Sequence, residues 1–338
     1  MSIIVNGNYN QFAYTLYMSV FTRVERDQLE TFLTSYTQGS LIDFEGINAG
    51  IENTNYFVTT TRNHFVLTLF ESLQADELPY FLNLMAFLAE RGIPSAHPIG
   101  DTQGSYIRIL NNKPAALVRR LQGKSIERPT ADHCRAVGTA LGEMHKVGKS
   151  FPENRSNDRG PAWWNETEQR LLPYLDKEDA DLLQAEIRYQ TSKRLLDLPR
   201  GVIHGDLFRD NVLFVDHQLT GIIDFYYACN DVLLYDMAIS VNDWCSMEDG
   251  SMDDTLLNAF LSAYRQQRSP AADEHQAWPV MLRAAALRFW LSRLHDQYFP
   301  RQGEITHIKD PQVFKRILLY RIRHQDMLRD AWIHSCGR

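Results

Sequence analysis

Cysteine is scarce in this chain of 338 residues: Cys134, Cys229, Cys245 and Cys336 are scattered, and no two form a C-x-x-C pair. That spacing argues against a zinc site or a disulfide framework and for reduced thiols in a cytosolic protein. No apolar run approaches the roughly 18–20 residues that a membrane-spanning helix needs. The stretch Met1 to Tyr17 is polar and Asn-rich, with no Lys or Arg ahead of an apolar core, so it does not read as a signal peptide. An excess of basic residues is lacking too. Lys and Arg number 35 against 42 Asp and Glu, for a net charge of −7. This argues against nucleic acid or an anionic membrane as the main partner. Tandem repeats and low-complexity tracts are absent. Gly123-Lys124-Ser125 resembles the tail of a P-loop, but Val118 stands where the first glycine belongs.

The remainder is ordinary for a globular chain with a sizeable core: 44% hydrophobic and 23% charged residues, long enough for one large domain or two. Its organising stretch is VIHGDLFRDNVLFVDHQLTGIIDF, Val202 to Phe225. Short apolar runs at Val202-Ile203, Val212–Val215 and Gly221–Ile223, bounded by turn residues, read as buried strands. They set Asp206, Asn211 and Asp224 at strand edges. His-x-Asp-x-x-x-x-Asn is the catalytic-loop spacing of kinases, with Gly205 where protein kinases carry Arg. Asp224 follows 13 residues after Asn211, where a metal-holding carboxylate is needed. Phosphoryl transfer asks for a carboxylate to orient and deprotonate the attacking hydroxyl and for oxygen ligands that hold magnesium on the phosphates. Asp206 suits the first task; Asn211 and Asp224 suit the second. A single Asp in a turn more often caps backbone amides; the four residues in register argue otherwise.

Along the chain, residues 1–17 are expected to be a disordered extension or the product of an upstream start codon. Leu29, Phe32, Leu33 and Tyr36 mark a short amphipathic helix. Gly46, Ala49 and Gly50 punctuate a loop ahead of a β-hairpin, Asn55–Thr61 and His64–Glu71, that turns at Arg62-Asn63. Such a loop can cover nucleotide phosphates with backbone amides, which makes Gly46, Asn48 and Gly50 candidate nucleotide contacts. A helix capped by Asp76, with Pro79 in its first turn, ends at Gly92 and Pro94. Strands follow near Tyr106–Leu110 and Ala115–Leu121, then a linker. Helices are expected around Cys134–Met144 and at 163–194, 235–245, 253–267, 276–298 and 311–330. Residues 150–161 form the longest breaker-rich stretch.

This α+β pattern resembles the aminoglycoside-phosphotransferase and choline-kinase group, which has the protein-kinase-like fold. Within that group it resembles the homoserine kinases. The segments that carry the likeness are MSVFTRVERDQLETFL, GIENTNYFV, FVLTLFE, ERGIPSAHPI, the catalytic loop, GIIDFYYACNDVLLYDMAISVNDWC and RFWLSRLHD. The resemblance implies two lobes: a small β-rich N-lobe over 18–122 and a larger, mainly helical C-lobe over 123–338. It implies ATP and Mg2+ as cofactors and L-homoserine, a small zwitterion, as the acceptor. A zwitterion needs a carboxylate for its ammonium and a cation for its carboxylate. Asp231, Asp236 and Asp243 are candidates for the first; Arg288 and Arg293 for the second.

Two departures stand out. Many kinases carry a basic residue on the third strand, where FVLTLFE has Thr68; Thr68 is kept as a nucleotide-site candidate, and Arg62, Lys113 or Arg119 are possible substitute cations. Glu77 is the acid expected to pair with such a cation. No Ala-Pro-Glu segment follows Asp224, which argues against a phosphorylation-controlled loop and a protein substrate. A choline, ethanolamine or aminoglycoside kinase of the same fold, or an inactive kinase-like binding module, are the alternatives.

Overall fold

The structure is a computed structural model that describes residues 22–47, 53–193, 198–300 and 309–334. The expected N-terminal extension lies outside the described residues, as do Asn48 and Gly50. Helix α1 (Arg26–Leu33) begins at Glu25, whose backbone N–H donates to the Gln28 side chain at 2.9 Å. Strands β1 (Leu41–Gly46), β2 (Asn53–Thr60) and β3 (His64–Phe70) form an antiparallel meander. Thr60 closes the β2–β3 turn by accepting from the backbone N–H groups of Arg62 and Asn63. After helix α2 (Leu78–Ala89) come β4 (Arg108–Leu110) and β5 (Lys113–Arg119), which complete a sheet ordered β1-β2-β3-β5-β4.

Strand periodicity gives this sheet two different faces. Tyr56, Val58, Phe65, Leu67, Leu69, Ala115 and Leu117 pack on Leu29, Phe32 and Leu33 of α1 and form one core. Phe70, Ala116 and Val118 face the other way and join α2 and the C-lobe in a second, larger core. Leu67 has no exposed surface, and truncating it to Ala would cost about 2–5 kcal/mol.

The C-lobe is built on α3 (Ala131–Gly148), α4 (Pro161–Leu171), α5 (Lys177–Ser192), α6 (Leu233–Trp244), α7 (Asp254–Gln267), α8 (Ala272–Tyr298), α9 (Pro311–Arg323) and α10 (Gln325–His334). Helix α3 lies tight on α7. A Cβ at Gly138 would sit 2.3 Å from the Phe260 carbonyl oxygen, so the close approach depends on glycine. Between the helices, β6 (Arg200–Ile203) pairs with β9 (Cys229–Val232), and β7 (Val212–Val215) with β8 (Gln218–Ile222).

The lobes are joined by the chain after β5. On the sheet side, the Arg119 and Arg120 N–H groups donate to the His97 and His64 carbonyls. On the other side, Lys124 and Phe214 exchange backbone hydrogen bonds of 2.9 Å. Gly123 adopts φ +113°, and a Cβ there would meet the Phe214 oxygen at 2.7 Å.

The two-lobe α+β architecture follows the expectation; several boundaries differ. The helix expected over 163–194 is two helices, because Pro173 cannot donate within a continuing helix and Asp176 caps a new start at Asp179 N–H. Likewise 311–330 breaks at His324. The α2 N-cap is Glu77, not Asp76, and makes no side-chain cap bond. Strand β9, unforeseen in the sequence, gives β6 its partner.

Candidate active site

The catalytic-loop spacing becomes geometry through a buried carboxylate. Asp236, on the first turn of α6, has no exposed surface. Its Oδ2 accepts the His204 N–H at 2.7 Å and a 3.0 Å bond from His145 Nε2, and its Oδ1 accepts the Gly205 N–H at 2.8 Å. Burial alone would raise the Asp236 pKa, but the His145 hydrogen bond and the neighbouring backbone donors hold it below the usual carboxylate range. The carboxylate thus fixes the backbone one residue before Asp206.

The donors and acceptors behind it form a consistent chain. Arg268 donates to the Tyr264 hydroxyl at 3.1 Å, Tyr264 OH lies 2.8 Å from His145 Nδ1, and Arg268 also pairs with Glu274 at 2.7 Å. Burial depresses the pKa of His145 and raises that of Tyr264. A neutral His145 that donates from Nε2 and accepts at Nδ1 fits every contact. His204 is neutral for the same reason: its Nε2 donates to the Ile223 carbonyl and its Nδ1 accepts the Asp206 N–H.

Gly205 turns at φ +75°, and a Cβ there would approach the Tyr227 oxygen to 2.7 Å. This accounts for glycine where protein kinases carry arginine. Asn211 donates from Nδ2 to the Asp206 carbonyl at 2.8 Å and to Asp206 Oδ2 at 3.1 Å. Its side-chain oxygen is thereby turned away from Asp206. The Asn211 carbonyl accepts the Ile223 N–H at 3.0 Å, which brings the next residue, Asp224, alongside. Asp224 takes the left-handed conformation, φ +64°, uncommon for a residue with a side chain. Asp206, Asn211 and Asp224 therefore meet at one place, and the oxygen donors of Asn211 and Asp224 suit a hard divalent cation such as magnesium.

The other candidates separate. Asp236 lies beneath the loop with both oxygens engaged, so it is corrected from substrate contact to loop support. Asp243 is held by Arg209, through its backbone N–H at 2.8 Å and its guanidinium at 3.1 Å, and so anchors the loop's far end. Asp231 accepts from Asn157 and Arg200, both at 2.7 Å. Arg293 donates to the Asp310 carbonyl at 2.9 Å and stacks on Phe314, facing the start of α9. Arg288 is 4% exposed and 3.7 Å from Asp206 Oδ1, and Arg293 lies within electrostatic reach of Asp243, Asp210 and Asp206.

In the N-lobe, Gly46 closes β1 opposite Tyr56. Thr68 is on the cleft face but buried, and its hydroxyl donates to Asn55 at 2.8 Å and is hydrogen-bonded to Tyr226. It offers a neutral relay to the segment after Asp224 instead of a charge. Lys113 is on the other face, 3.2 Å from Glu71, and Arg62 is tied to the Thr37 carbonyl at 2.5 Å. Arg119 shares its strand parity with Lys113. Glu77 pairs with Arg155 at 3.5 Å, not with a strand cation. Arg120, which sequence reasoning passed over, stacks 3.8 Å from the Phe57 ring; its parity with Ala116 and Val118 was the available signal.

Sequence reasoning also missed a cavity beside the loop, lined by Asn157, Arg159, Tyr227, Tyr235 and Arg288 around Gly205.

Residues 43–273 match the model of the phosphotransferase enzyme family. The chain belongs to that family. Its members with similar sequences include homoserine kinases of Methylobacillus flagellatus, 50% identical, and Methylobacillus glycogenes, 48% identical. Each alignment covers 94% of this chain and 100% of the relative. A solved amicoumacin kinase, in complex with AMP-PNP and Ca2+, superposes with a TM-score of 0.65 at 16% identity, over 90% of this chain and 93% of that one. At that identity the likeness speaks for the kinase-like fold alone. Among the described residues no helix is long and apolar enough to cross a membrane.

Proposed function

We propose that this phosphotransferase moves the γ-phosphate of ATP to the side-chain hydroxyl of L-homoserine, giving ADP and O-phospho-L-homoserine on the way to threonine. The acceptor oxygen attacks the γ-phosphorus, the bond from that phosphorus to the β–γ bridging oxygen breaks, and the hydroxyl proton passes to Asp206 and then to solvent. Asn211 orients Asp206 through its amide and, with Asp224, would hold magnesium. When bound there, magnesium neutralises charge on the phosphate oxygens. The chain's own part is positioning: Asp236 and Asp243 fix the two ends of the loop, and Arg288 keeps a positive charge beside the base.

The observation that carries the reading is the Asp206–Asn211 contact at 2.8 and 3.1 Å next to Asp224. The homoserine kinase relatives aligned over their whole length support the choice of acceptor. A coupled ADP-release assay tests it, with magnesium-ATP and L-homoserine, choline, L-serine or kanamycin. Turnover is expected on L-homoserine and to be lost in Asp206→Asn. Preference for another alcohol would overturn the acceptor, and full activity of the variant would overturn the base.

A further inference from the structure

The cavity beside the catalytic loop is small, about 10 Å³, room for about one water-sized group, and it gathers more hydrogen-bond donors than acceptors. Tyr235, on the first turn of α6, is 6% exposed, and its hydroxyl has no hydrogen-bond partner among the described residues. A buried hydroxyl left unpaired costs free energy that native structures seldom leave uncompensated. Arg288 from α8 lines the same space. Its guanidinium packs 3.7 Å from the Phe289 ring and 4.9 Å from Tyr227. Its one ion pair among the described residues, to Asp206 at 3.7 Å, is longer than a hydrogen bond. Arg159, from the breaker-rich loop before α4, approaches the Tyr227 ring at 5.7 Å and Trp163 at 4.6 Å. Two guanidinium groups thus stand around Tyr227, next to an unpaired phenol.

Among the described residues the acid paired with Arg288 is Asp206, at 3.7 Å, outside the cavity lining. The cavity's other lining groups are Asn157, Ile203, Gly205 and Cys229, none of them an acid. Asp231, the nearest acid on β9, is already taken by Asn157 and Arg200. A planar anion fits what is left: a fork of guanidinium donors and one hydroxyl donor. Burial keeps the Tyr235 hydroxyl protonated far into the alkaline range, so it stays a donor.

We infer that Arg159, Arg288 and Tyr235 form the subsite for the carboxylate of an α-amino-acid acceptor, one carboxylate oxygen taking the water-sized space bounded by Gly205 and Tyr227. The inference rests on the acceptor reading above and deepens it. It replaces the expected Arg288–Arg293 clamp with residues from three separate elements. It also places the carboxylate next to Arg288, so that a bound acceptor competes with Asp206 for that guanidinium and releases the base for the hydroxyl. Selection against amino alcohols that lack a carboxylate follows directly.

The test compares L-homoserine with 3-aminopropan-1-ol, the same chain without the carboxylate, using full-length enzyme and magnesium-ATP. The readout is the ratio of kcat/KM for the two acceptors in the wild type, Tyr235→Phe and Arg159→Gln. Losing a hydrogen bond to a charged group lowers the ratio about tenfold or more, through KM for L-homoserine more than through kcat. An unchanged ratio in both variants overturns the subsite, as does a wild type that prefers 3-aminopropan-1-ol. Calorimetric titration of both compounds into enzyme with magnesium and AMP-PNP separates the two readings. Weak L-homoserine turnover, together with L-serine or L-threonine binding that Tyr235→Phe weakens, would sink the homoserine reading and keep the carboxylate site. Equal binding of carboxylated and decarboxylated compounds would sink the site itself.

Discussion

Asp236→Asn isolates the contribution of one buried charge to the catalytic loop. The carboxylate receives the His204 N–H at 2.7 Å, the Gly205 N–H at 2.8 Å and His145 at 3.0 Å. An asparagine with its carbonyl in the place of Oδ2 retains the His204 and His145 contacts. Its amide then meets the Gly205 N–H, donor against donor. One charge-assisted bond worth about 1.5–3 kcal/mol is lost, and a buried N–H is left unpaired at about 1–3 kcal/mol. A net cost of about 3 kcal/mol or more corresponds to a Tm drop of roughly 4 °C or more for a chain of this size. The larger effect falls on rate, because Asp206 follows Gly205 directly: displacement of a catalytic group by about 1 Å can cost about a hundredfold. Calorimetric melting and the ADP-release assay read both. The expected result is a lowered Tm, a kcat down by about two orders of magnitude, and a KM for ATP that moves little. A variant that melts with the wild type and keeps its kcat would refute the role given to this carboxylate.

Gly205→Ala should cost about 1–3 kcal/mol through its left-handed backbone, and kcat should fall with it because the new Cβ presses on the Tyr227 carbonyl; chemical denaturation and turnover check the pair. Stability should decline in acid. His145 and His204 are held neutral by burial, with folded pKa values below the ordinary 6.5, so the unfolded chain takes up protons first as pH falls. Their contribution is complete above about pH 6.5 and is lost progressively below it; urea midpoints that stay flat from pH 8 to pH 5.5 would contradict this. Chelation of divalent cations should stop turnover and added magnesium should restore it, while Asp224→Ala should raise the magnesium needed for half-maximal rate by about tenfold or more, read from a metal titration of the initial velocity.

The loop chemistry was legible because its parts lie close in the chain. Asp206, Asn211 and Asp224 fall within one strand-loop-hairpin unit, so spacing alone brings them together. The support beneath was not legible. Asp236 looked like a substrate acid because its sequence gives no sign that three donors converge on it from α3 and the loop. The cavity was hidden for a related reason. Arg159, Tyr227, Tyr235 and Arg288 come from a loop, a 3-10 turn and two helices, and no local period relates them. Residues 150–161 were marked only as breaker-rich, and that stretch supplies Arg155, Asn157 and Arg159. In the sheet, the alternation that correctly paired β2 with β3 also held the answer for Lys113. Two residues before Ala115, it shares the α1-facing side and lies away from the cleft.

The connection between the lobes sets where the molecule can bend. Arg119 and Arg120 are fastened to the sheet side through His97 and His64, and Lys124 is fastened to Phe214. The backbone between these clamps is only Leu121, Gln122 and Gly123, and even there Thr220 grips the Gln122 carbonyl at 2.6 Å. The unclamped part of this connection is a pivot only a few bonds long. The far side of that pivot is the same hairpin that carries Asn211 at one strand's start and Asp224 after the other's end. The same hairpin is tied to the N-lobe a second time, where the Ile222 N–H donates to the Pro94 carbonyl at 2.7 Å, so the residues that handle phosphate are held from both lobes.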